Sequence, residues 1–187
     1  MMRPIVKIVR TSGDAHIPSY AHSTDSGADL FSTHDVCLAP GETVLIHTGI
    51  SIALPEGYEA QIRSKSGRAL KESLFVLNSP GTIDNGYRGE ICVIMHNSDN
   101  IRQYVVQGEK VAQLVITPYV QATFAEVGRN EFDRLDTARG DGGFGSTGLS
   151  GLPSMEDVQT WPFGYDPVVA RYPITEVLNV GPLGVGV

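Results

Sequence analysis

The chain has 187 residues, of which 41% are hydrophobic and 19% are charged, and its formal net charge is −7. This length suffices for one domain with a core, or for one domain followed by a tail. The negative charge argues against a nucleic-acid-binding surface, and no apolar run is long enough to span a membrane.

The cysteines and histidines limit the compartment and the metal chemistry. Two cysteines, Cys37 and Cys92, are typical of a reducing compartment, and a single disulfide between them is the alternative. The five histidines show no ligand spacing, so we expect no protein-ligated zinc site. Residues 1–10 lack the apolar core of a signal peptide. These features predict a soluble cytoplasmic protein.

The first third of the chain is predicted to be β-structure. Residues 5–9 predict a first strand, and residues 11–28 are polar and rich in turn formers. Alternating apolar residues predict one half-buried strand over residues 44–54. Its inward face is predicted to consist of Val44, Ile46, Ile50, Ile52 and Leu54, and its outward face of His47, Gly49 and Ser51. A further strand with inward Tyr58, Ala60 and Ile62 follows a turn at residues 55–57.

The middle of the chain contains the only helix candidate, residues 68–75. A hairpin with a turn at Asn85-Gly86 is predicted next, because both residues tolerate the positive φ of tight turns. Two more strands are predicted, at residues 104–106 and 111–116. Short strands at this spacing predict a β-sandwich or barrel.

The predicted hairpin carries the first candidate catalytic group. Asp84 lies at its mouth, where a carboxylate can orient a water as a general base, and Tyr87 lies just past the turn, where its ring can contact a sugar or base. The alternative is a plain hairpin, in which Asp84 satisfies turn amides and Tyr87 packs.

A glycine-rich stretch at residues 139–148 is the second candidate, with five glycines in ten positions. Its backbone amides can together bind an anion, Arg139 can bind a phosphate and Phe144 can stack on a base. A flexible linker is the alternative. Residues 149–187 resemble an extended arm or a small appended element.

Weaker polar signals lie elsewhere in the chain. Residues 63–67 combine two cations, hydroxyls and a glycine before the predicted helix, which suits an anion but equally a helix cap. Gln113 interrupts an apolar strand, and it either makes a structural hydrogen bond or contacts phosphate or metal-bound water. Asp29 either caps a strand or lies near a hydrated Mg²⁺, and Asn78 either reads a base edge or caps the hairpin.

Taken in order, these segments resemble the five motifs of the trimeric dUTPase family over about residues 5–148. The segments are Ser26–Leu30, Ser64–Gly67, Asn78 with Gly81–Glu90, Gly108–Leu114 and Arg139–Gly148.

The resemblance implies an all-β, distorted jelly-roll fold of the β-clip type, with one short helix and an extended C-terminal arm. Residues 1–127 would form the core, residues 128–148 the arm that closes the active site, and residues 149–187 an extension of unknown role. It implies a homotrimer with three shared active sites that hydrolyses dUTP to dUMP and pyrophosphate with Mg²⁺. Such an activity limits uracil incorporation into DNA and supplies dUMP for dTMP synthesis.

The resemblance also implies a role for each site residue. Asp84 would be the general base, and Tyr87 would lie beneath the deoxyribose and exclude a 2′-OH. The uracil edge would be read by Asn78 and by backbone around Gly81, Thr82, Ile83 and Cys92. The triphosphate would contact Lys65, Ser66, Gly67, Gln113, Arg139, Gly145, Ser146 and Thr147, with Phe144 closing over uracil. Asp29 and Gln113 would hold Mg²⁺ through water only, with no direct protein ligand.

The chain departs from the family pattern at several positions, and two other functions are weighed beside the resemblance. Lys65 stands where an arginine is usual, and Arg68 replaces an apolar residue. One alternative is a dCTP deaminase, or a bifunctional enzyme of the same superfamily. Deaminases of this type carry a catalytic glutamate on the strand after the hairpin, and Glu90 is the only acid between the turn and Asp99. The other is a non-catalytic nucleotide-sensing trimer.

Overall fold

The computed structural model describes residues 3–142. The chain divides into two units, Met1–Thr123 and Phe124–Val187. The strands and helix α1 lie in the first unit and helix α2 lies in the second. The elements in chain order are β1 (Lys7–Arg10), β2 (Gly27–Phe31), β3 (Val36–Leu38), β4 (Thr43–His47), β5 (Ile50–Ala53), β6 (Tyr58–Ser64), α1 (Ser66–Glu72), β7 (Leu74–Val76), β8 (Gly81–Ile83), β9 (Cys92–Asn97), β10 (Gln103–Val105), β11 (Lys110–Pro118) and α2 (Arg129–Phe132).

The strands form small antiparallel sheets, which confirms the predicted all-β class. The largest sheet has the order β2-β11-β6-β8, and a second has the order β4-β9-β7. Two further pairs, β1-β5 and β10-β3, complete the set in the described chain. Because β8 is at the edge of its sheet, one row of its backbone hydrogen-bonding groups is left unpaired by strands.

One apolar core holds the sheets of the first unit together. In β9, the inward residues Val93 and Met95 are buried and alternate with partly exposed neighbours. The largest fully buried apolar side chains elsewhere are Leu30, Leu38, Ile46, Ile50, Leu74 and Ile91. Each such side chain contributes about 1.5–3 kcal/mol by its removal from water. No helix among residues 3–142 is both long and apolar enough to cross a membrane.

The strand predicted over residues 44–54 is two strands, so that prediction was wrong in its continuity. The break lies at Gly49, whose φ is 67° and whose added Cβ would meet three side chains at 2.8–2.9 Å. Before the break β4 pairs with β9, and after it β5 pairs with β1. Ser51 is buried rather than outward-facing, because the chain changes sheets there.

The predicted helix also has different bounds. Helix α1 begins two residues before the predicted start and ends at Glu72, because Ser73 adopts the left-handed conformation with φ 54°. The backbone amide of Ser73 donates to the carbonyl of Arg68 and closes the last turn of the helix. Leu74 and Phe75, predicted to be helical, belong to β7.

The predicted hairpin is a turn between two sheets and not a paired ladder. Strand β8 pairs with β6, whereas β9 pairs with β4 and β7. Neither Asn85 nor Gly86 has a positive φ, so the tight-turn argument was wrong. The side-chain amide of Asn85 instead donates to the backbone carbonyls of Leu54 and Pro55, at 3.1 and 2.7 Å. The turn is closed by the Tyr87 amide, which donates to the Asp84 carbonyl at 3.0 Å.

Arg68 is buried and joins α1 to the start of β11. Its guanidinium donates to the Lys110 carbonyl at 2.6 Å, to Glu72 at 2.6 Å and to Glu109 at 2.8 Å. The buried guanidinium is thus fully partnered by two carboxylates and a backbone carbonyl. The arginine at position 68 therefore has a structural role, which was not predicted from the sequence.

We expect Arg68→Met to lower the free energy of unfolding by about 2 kcal/mol, because the Lys110 carbonyl and two acids lose their shared donor. Urea denaturation measures this. Lys71→Met is the matched control, since Lys71 is exposed on the same helix. Equal stability of the two variants would contradict the structural role of Arg68.

Candidate active site

A pocket of about 280 Å³ lies between the edge strand β8 and strands β4 and β9. Its lining residues are Leu45, Ile62, Asn78, Gly81, Thr82, Ile83, Tyr87, Glu90, Cys92 and Ile94. Six of these were predicted to bind the base and sugar. The other four were not predicted. Leu45, Ile62 and Ile94 enter through strand pairing; Leu45, for example, lies opposite Ile94 in the β4–β9 register. Glu90 lies in the connection just before β9.

The polar side of the pocket is formed by Asn78 and β8. A Cβ on Gly81 would lie 3.1 Å from the Asn78 amide nitrogen, so glycine lets that side chain lie against the strand. Asn78 is exposed, and within residues 3–142 its side chain makes no hydrogen bond. Its amide is therefore available to a ligand, together with the unpaired backbone row of β8.

Tyr87 is fixed at the rim of the pocket. Its hydroxyl donates to the Glu90 carbonyl at 3.0 Å, and its ring covers Gly89, where a Cβ would lie 2.3 Å from the hydroxyl oxygen. The ring thus lies against the backbone that follows it. Only glycine at position 89 allows this placement.

Glu90 is bound to the far side of the pocket. Its carboxylate accepts from the Gly49 amide at 2.7 Å and from His47 Nδ1 at 2.9 Å. Burial raises the pKa of Glu90, but the hydrogen bonds from His47 and Gly49 outweigh burial and hold the pKa below its ordinary value. Burial, together with the charge of Glu90, raises the pKa of the Cys92 thiol to about 11.

Asp84 directly follows the pocket residue Ile83. It is exposed, and in the described part of the chain its carboxylate makes no hydrogen bond. The alternative in which Asp84 satisfies turn amides with its side chain is therefore not observed. Both carboxylate oxygens are available to a water or a ligand.

Asp29 is the centre of a second, charged cluster. It is buried in β2, and its carboxylate lies 2.5 Å from Lys65 Nζ and 2.7 Å from Lys110 Nζ. Across the sheet Asp29 faces Gln113, which in turn faces Arg63 of β6. One end of this sheet therefore carries one carboxylate, one amide and three cations, which belong to Asp29, Gln113, Arg63, Lys65 and Lys110. Lys110 was not assigned a role from the sequence.

The Asp29 carboxylate is stabilised as an anion. Burial raises its pKa, but hydrogen bonds from Lys110 and Lys65 and the charges of these lysines outweigh burial and hold the pKa below its ordinary value. A carboxyl whose pKa falls on folding stabilises the protein above its unfolded pKa, and this stabilisation is lost as the pH falls below it.

We therefore expect Asp29→Asn to destabilise the protein near pH 7 by about 2 kcal/mol, since two lysines lose their partner. The difference from the unmutated chain should shrink between about pH 5 and about pH 3. Urea denaturation across this range measures it. A difference that stays constant with pH would contradict the ion-pair role.

The remaining predicted phosphate ligands of the first unit are accessible. Ser66 and Gly67 are exposed in the first turn of α1, directly after Lys65. Gln113 is half-buried, and its side chain makes no hydrogen bond among the residues that the structure describes. Gly27 leaves room for it, because a Cβ there would lie 3.0 Å from the Gln113 Cβ.

The arm is described only up to residue 142. Arg139 lies in the second unit, where its Nε donates to the Gly142 carbonyl at 2.9 Å and the rest of its guanidinium makes no hydrogen bond within residues 3–142. The predicted ligands Phe144, Gly145, Ser146 and Thr147 lie outside the described residues, as does the extension over residues 149–187.

The dUTPase family model matches residues 13–148 of this chain, and this range includes the glycine-rich stretch. The chain belongs to the dUTPase family. The family assignment confirms the resemblance that the five ordered motifs indicated. Residues 149–187 lie beyond the match.

Curated dUTPase relatives cover the same part of the chain. A deoxyuridine 5'-triphosphate nucleotidohydrolase from Alkaliphilus metalliredigens is 52% identical over 145 residues, which are 77% of this chain and 97% of the relative. Another from Clostridium tetani is 52% identical over 143 residues, which are 76% of this chain and 96% of the relative.

Solved dUTPase structures have the same fold. A mutant dUTPase of Staphylococcus bacteriophage 80alpha with dUpNHpp has a TM-score of 0.71 and 28% identity, over 78% of this chain and 99% of its own. A mutant dUTPase from phage phi11 of S. aureus, described with a structural Mg(II) ion, has a TM-score of 0.62 and 28% identity, over 66% of this chain and 96% of its own. The predicted dUTPase-like fold type is thereby confirmed.

Proposed function

We propose that this chain hydrolyses dUTP to dUMP and pyrophosphate, in the cytoplasm, as a homotrimer with shared active sites. The observation that carries the proposal is the pocket of about 280 Å³ at the edge of β8, with the exposed carboxylate of Asp84 next to it in the chain. The activity would limit uracil incorporation into DNA and supply dUMP. The proposed function requires neither nucleic acid nor a membrane as a partner.

Base selection follows from the unpaired edge of β8 and the Asn78 amide. Uracil presents two carbonyl acceptors around one N–H donor, and a strand edge with an adjacent amide can match that alternation. Cytosine has an amino donor in place of one of these acceptors and a bare ring nitrogen in place of the N–H, so that buried polar groups would lose their partners. Thymine carries an added methyl group, which we expect the close backbone of β8 to exclude.

The hydrolytic step needs an aimed water and neutralised phosphate charge. Asp84 would accept a proton from a water and direct its oxygen at the α-phosphorus, which releases pyrophosphate. Lys65, Ser66, Gly67, Gln113 and Arg139 would bind the triphosphate, while Phe144, Gly145, Ser146 and Thr147 of the arm would cover the site. Water excluded in this way strengthens each charge interaction.

The described residues fit a hydrated Mg²⁺ bound to the phosphates better than a directly ligated ion. Mg²⁺ retains several waters and takes few protein ligands, and it would neutralise phosphate charge. The amide oxygen of Gln113 can accept a hydrogen bond from such a water. Both oxygens of Asp29 are held by lysines, so Asp29 would have to exchange one ammonium donor for a water. Lys65 would then be free for the phosphates.

Glu90 does not suit the deaminase alternative. Both oxygens of its carboxylate are engaged, by Gly49 and His47, whereas an acid–base catalyst needs an oxygen free to exchange a proton with the substrate. This observation favours phosphoanhydride hydrolysis over deamination.

The function is tested by a pyrophosphate assay with dUTP, dCTP, dTTP and UTP, with and without Mg²⁺. We expect turnover of dUTP alone, dependent on Mg²⁺. Ammonia release from dCTP would support the deaminase, and no turnover of any substrate would support a nucleotide sensor. Either result would overturn the proposal.

We expect Tyr87→Ala to admit UTP, because the ring that would exclude a 2′-OH is gone. The ratio of kcat/KM for dUTP over that for UTP should fall about tenfold or more. Tyr104→Ala is the matched control, because Tyr104 is exposed and does not line the pocket. Unchanged sugar discrimination in Tyr87→Ala would contradict the placement of the ring under the sugar.

A further inference from the structure

Three metal-binding side chains converge beside the pocket. His47 Nδ1 lies 2.9 Å from Glu90 Oε2 and 3.6 Å from Cys92 Sγ, and the three ligand atoms all lie within 4.8 Å of one another. The convergence follows from strand pairing, because His47 and Cys92 are directly opposite each other in the β4–β9 register. The prediction that no protein-ligated zinc site exists considered sequence spacing alone, and His47 is 43 positions from Glu90 and 45 from Cys92.

We propose that His47, Glu90 and Cys92 form a binding site for a borderline-soft divalent transition metal such as Zn²⁺. Imidazole, carboxylate and thiolate are the donor types that zinc takes, and the sulfur selects zinc over Mg²⁺. The proposed hydrolysis does not use this trio as a unit, and the Mg²⁺ of that reaction is a different ion at phosphate oxygens.

Two of the three distances between the donor atoms can be compared with those around a four-coordinate ion. Donor atoms around tetrahedral zinc lie about 3.2–3.7 Å apart. The Nδ1–Sγ distance of 3.6 Å is already in this range. His47 Nδ1 and Glu90 Oε2 lie 2.9 Å apart and share a hydrogen bond. These two atoms must move apart by less than about 1 Å for a metal ion to replace the shared proton. Binding releases that proton and the thiol proton to solvent.

The surroundings hold the ligands and leave a way in. The Gly49 amide donates to the other oxygen of Glu90 at 2.7 Å, and a hydrogen bond of this kind orients a metal-binding carboxylate. The His47 side chain is 48% exposed, so an ion can enter from solvent. The fourth position is left to water, as in zinc sites with three protein ligands.

An ion at this site would alter the base pocket. Glu90 and Cys92 line both the pocket and the metal site, and the Glu90 carbonyl holds the Tyr87 hydroxyl. Bound metal would therefore narrow the pocket and oppose nucleotide binding. This consequence depends on the proposed function, whereas the metal site itself does not.

The test is titration of the tag-free chain with Co²⁺, followed by displacement with Zn²⁺, in the absence of nucleotide. We expect one ion per chain and a near-ultraviolet charge-transfer band, because such a band arises only when a thiolate binds cobalt. Cys92→Ser should abolish the band, and His47→Gln should weaken binding about 100-fold or more. Cys37→Ser and His22→Gln are the matched controls and should bind as the unmutated chain does.

The variants distinguish a metal site at His47, Glu90 and Cys92 from metal binding elsewhere in the chain. A band that survives in Cys92→Ser, or one that is lost in Cys37→Ser, would overturn the assignment, as would the absence of any band in the unmutated chain. Thermal melting of each metal-free variant shows whether it is folded, and a Cys92→Ala variant replaces Cys92→Ser if the latter unfolds. Because no nucleotide is present, failure of this test leaves the proposed hydrolysis intact, and failure of the hydrolysis assay leaves the site intact.

Discussion

Replacing Asp84 with asparagine should lower kcat for dUTP by about 10²- to 10⁴-fold, the range typical of a lost general base. Asparagine has nearly the same shape but cannot accept the proton of the attacking water. Asp84 makes no side-chain hydrogen bond among residues 3–142, so the substitution removes no structural contact there. We therefore expect the melting temperature and the affinity for dUTP to change little.

Asp14→Asn is the matched control for this variant. Asp14 is also exposed, and only its backbone amide takes part in a hydrogen bond. Steady-state kinetics with pyrophosphate detection, and binding of a non-hydrolysable dUTP analogue, separate turnover from affinity. If Asp84→Asn turned over like Asp14→Asn, the general base would have to be sought elsewhere.

Truncation after Asp133 should reduce kcat/KM by about 100-fold or more, because Arg139 and the arm residues that would cover the substrate are lost. The first unit, Met1–Thr123, contains the strands and the core, so the truncated chain should remain folded. Thermal melting and kinetics on the same preparation measure both effects.

Truncation after Gly148 is the control that separates the arm from the extension. It keeps residues 139–148, which lie within the family match, and removes residues 149–187, which lie beyond it. We expect this shorter chain to keep its activity. An unfolded product of the Asp133 truncation would show that the arm is structural, contrary to the account.

The sequence predicted the residues of the pocket better than the backbone that presents them. Asn78, Thr82 and Tyr87 were predicted from motif order, and they do line one pocket. The hairpin was wrong because residue preferences describe a turn only locally. The strands on either side of Asn85 pair with β6 and β4, and those partners are set by the whole core.

Features that depend on register were not predictable from one chain. Lys110 reaches Asp29 because β11 pairs with β2, and His47 reaches Cys92 because β4 pairs with β9. The end of α1 depends on the left-handed conformation of Ser73, a serine that carries no glycine-like signal. The Lys110–Asp29 and His47–Cys92 contacts join distant segments, so local periodicity contains no information about them.

The central claim, that separate copies of the chain complete one another's active sites around Asp84, is tested by complementation. Full-length Asp84→Asn and the chain truncated after Asp133 are co-expressed with different tags, and mixed trimers are isolated. If Asp84 and the arm of one site come from different subunits, each isolated mixed trimer should contain one intact site, and its activity should be about one third of that of the unmutated trimer. Activity no higher than that of the two parent variants would show that each site is built within one chain, and would contradict the account.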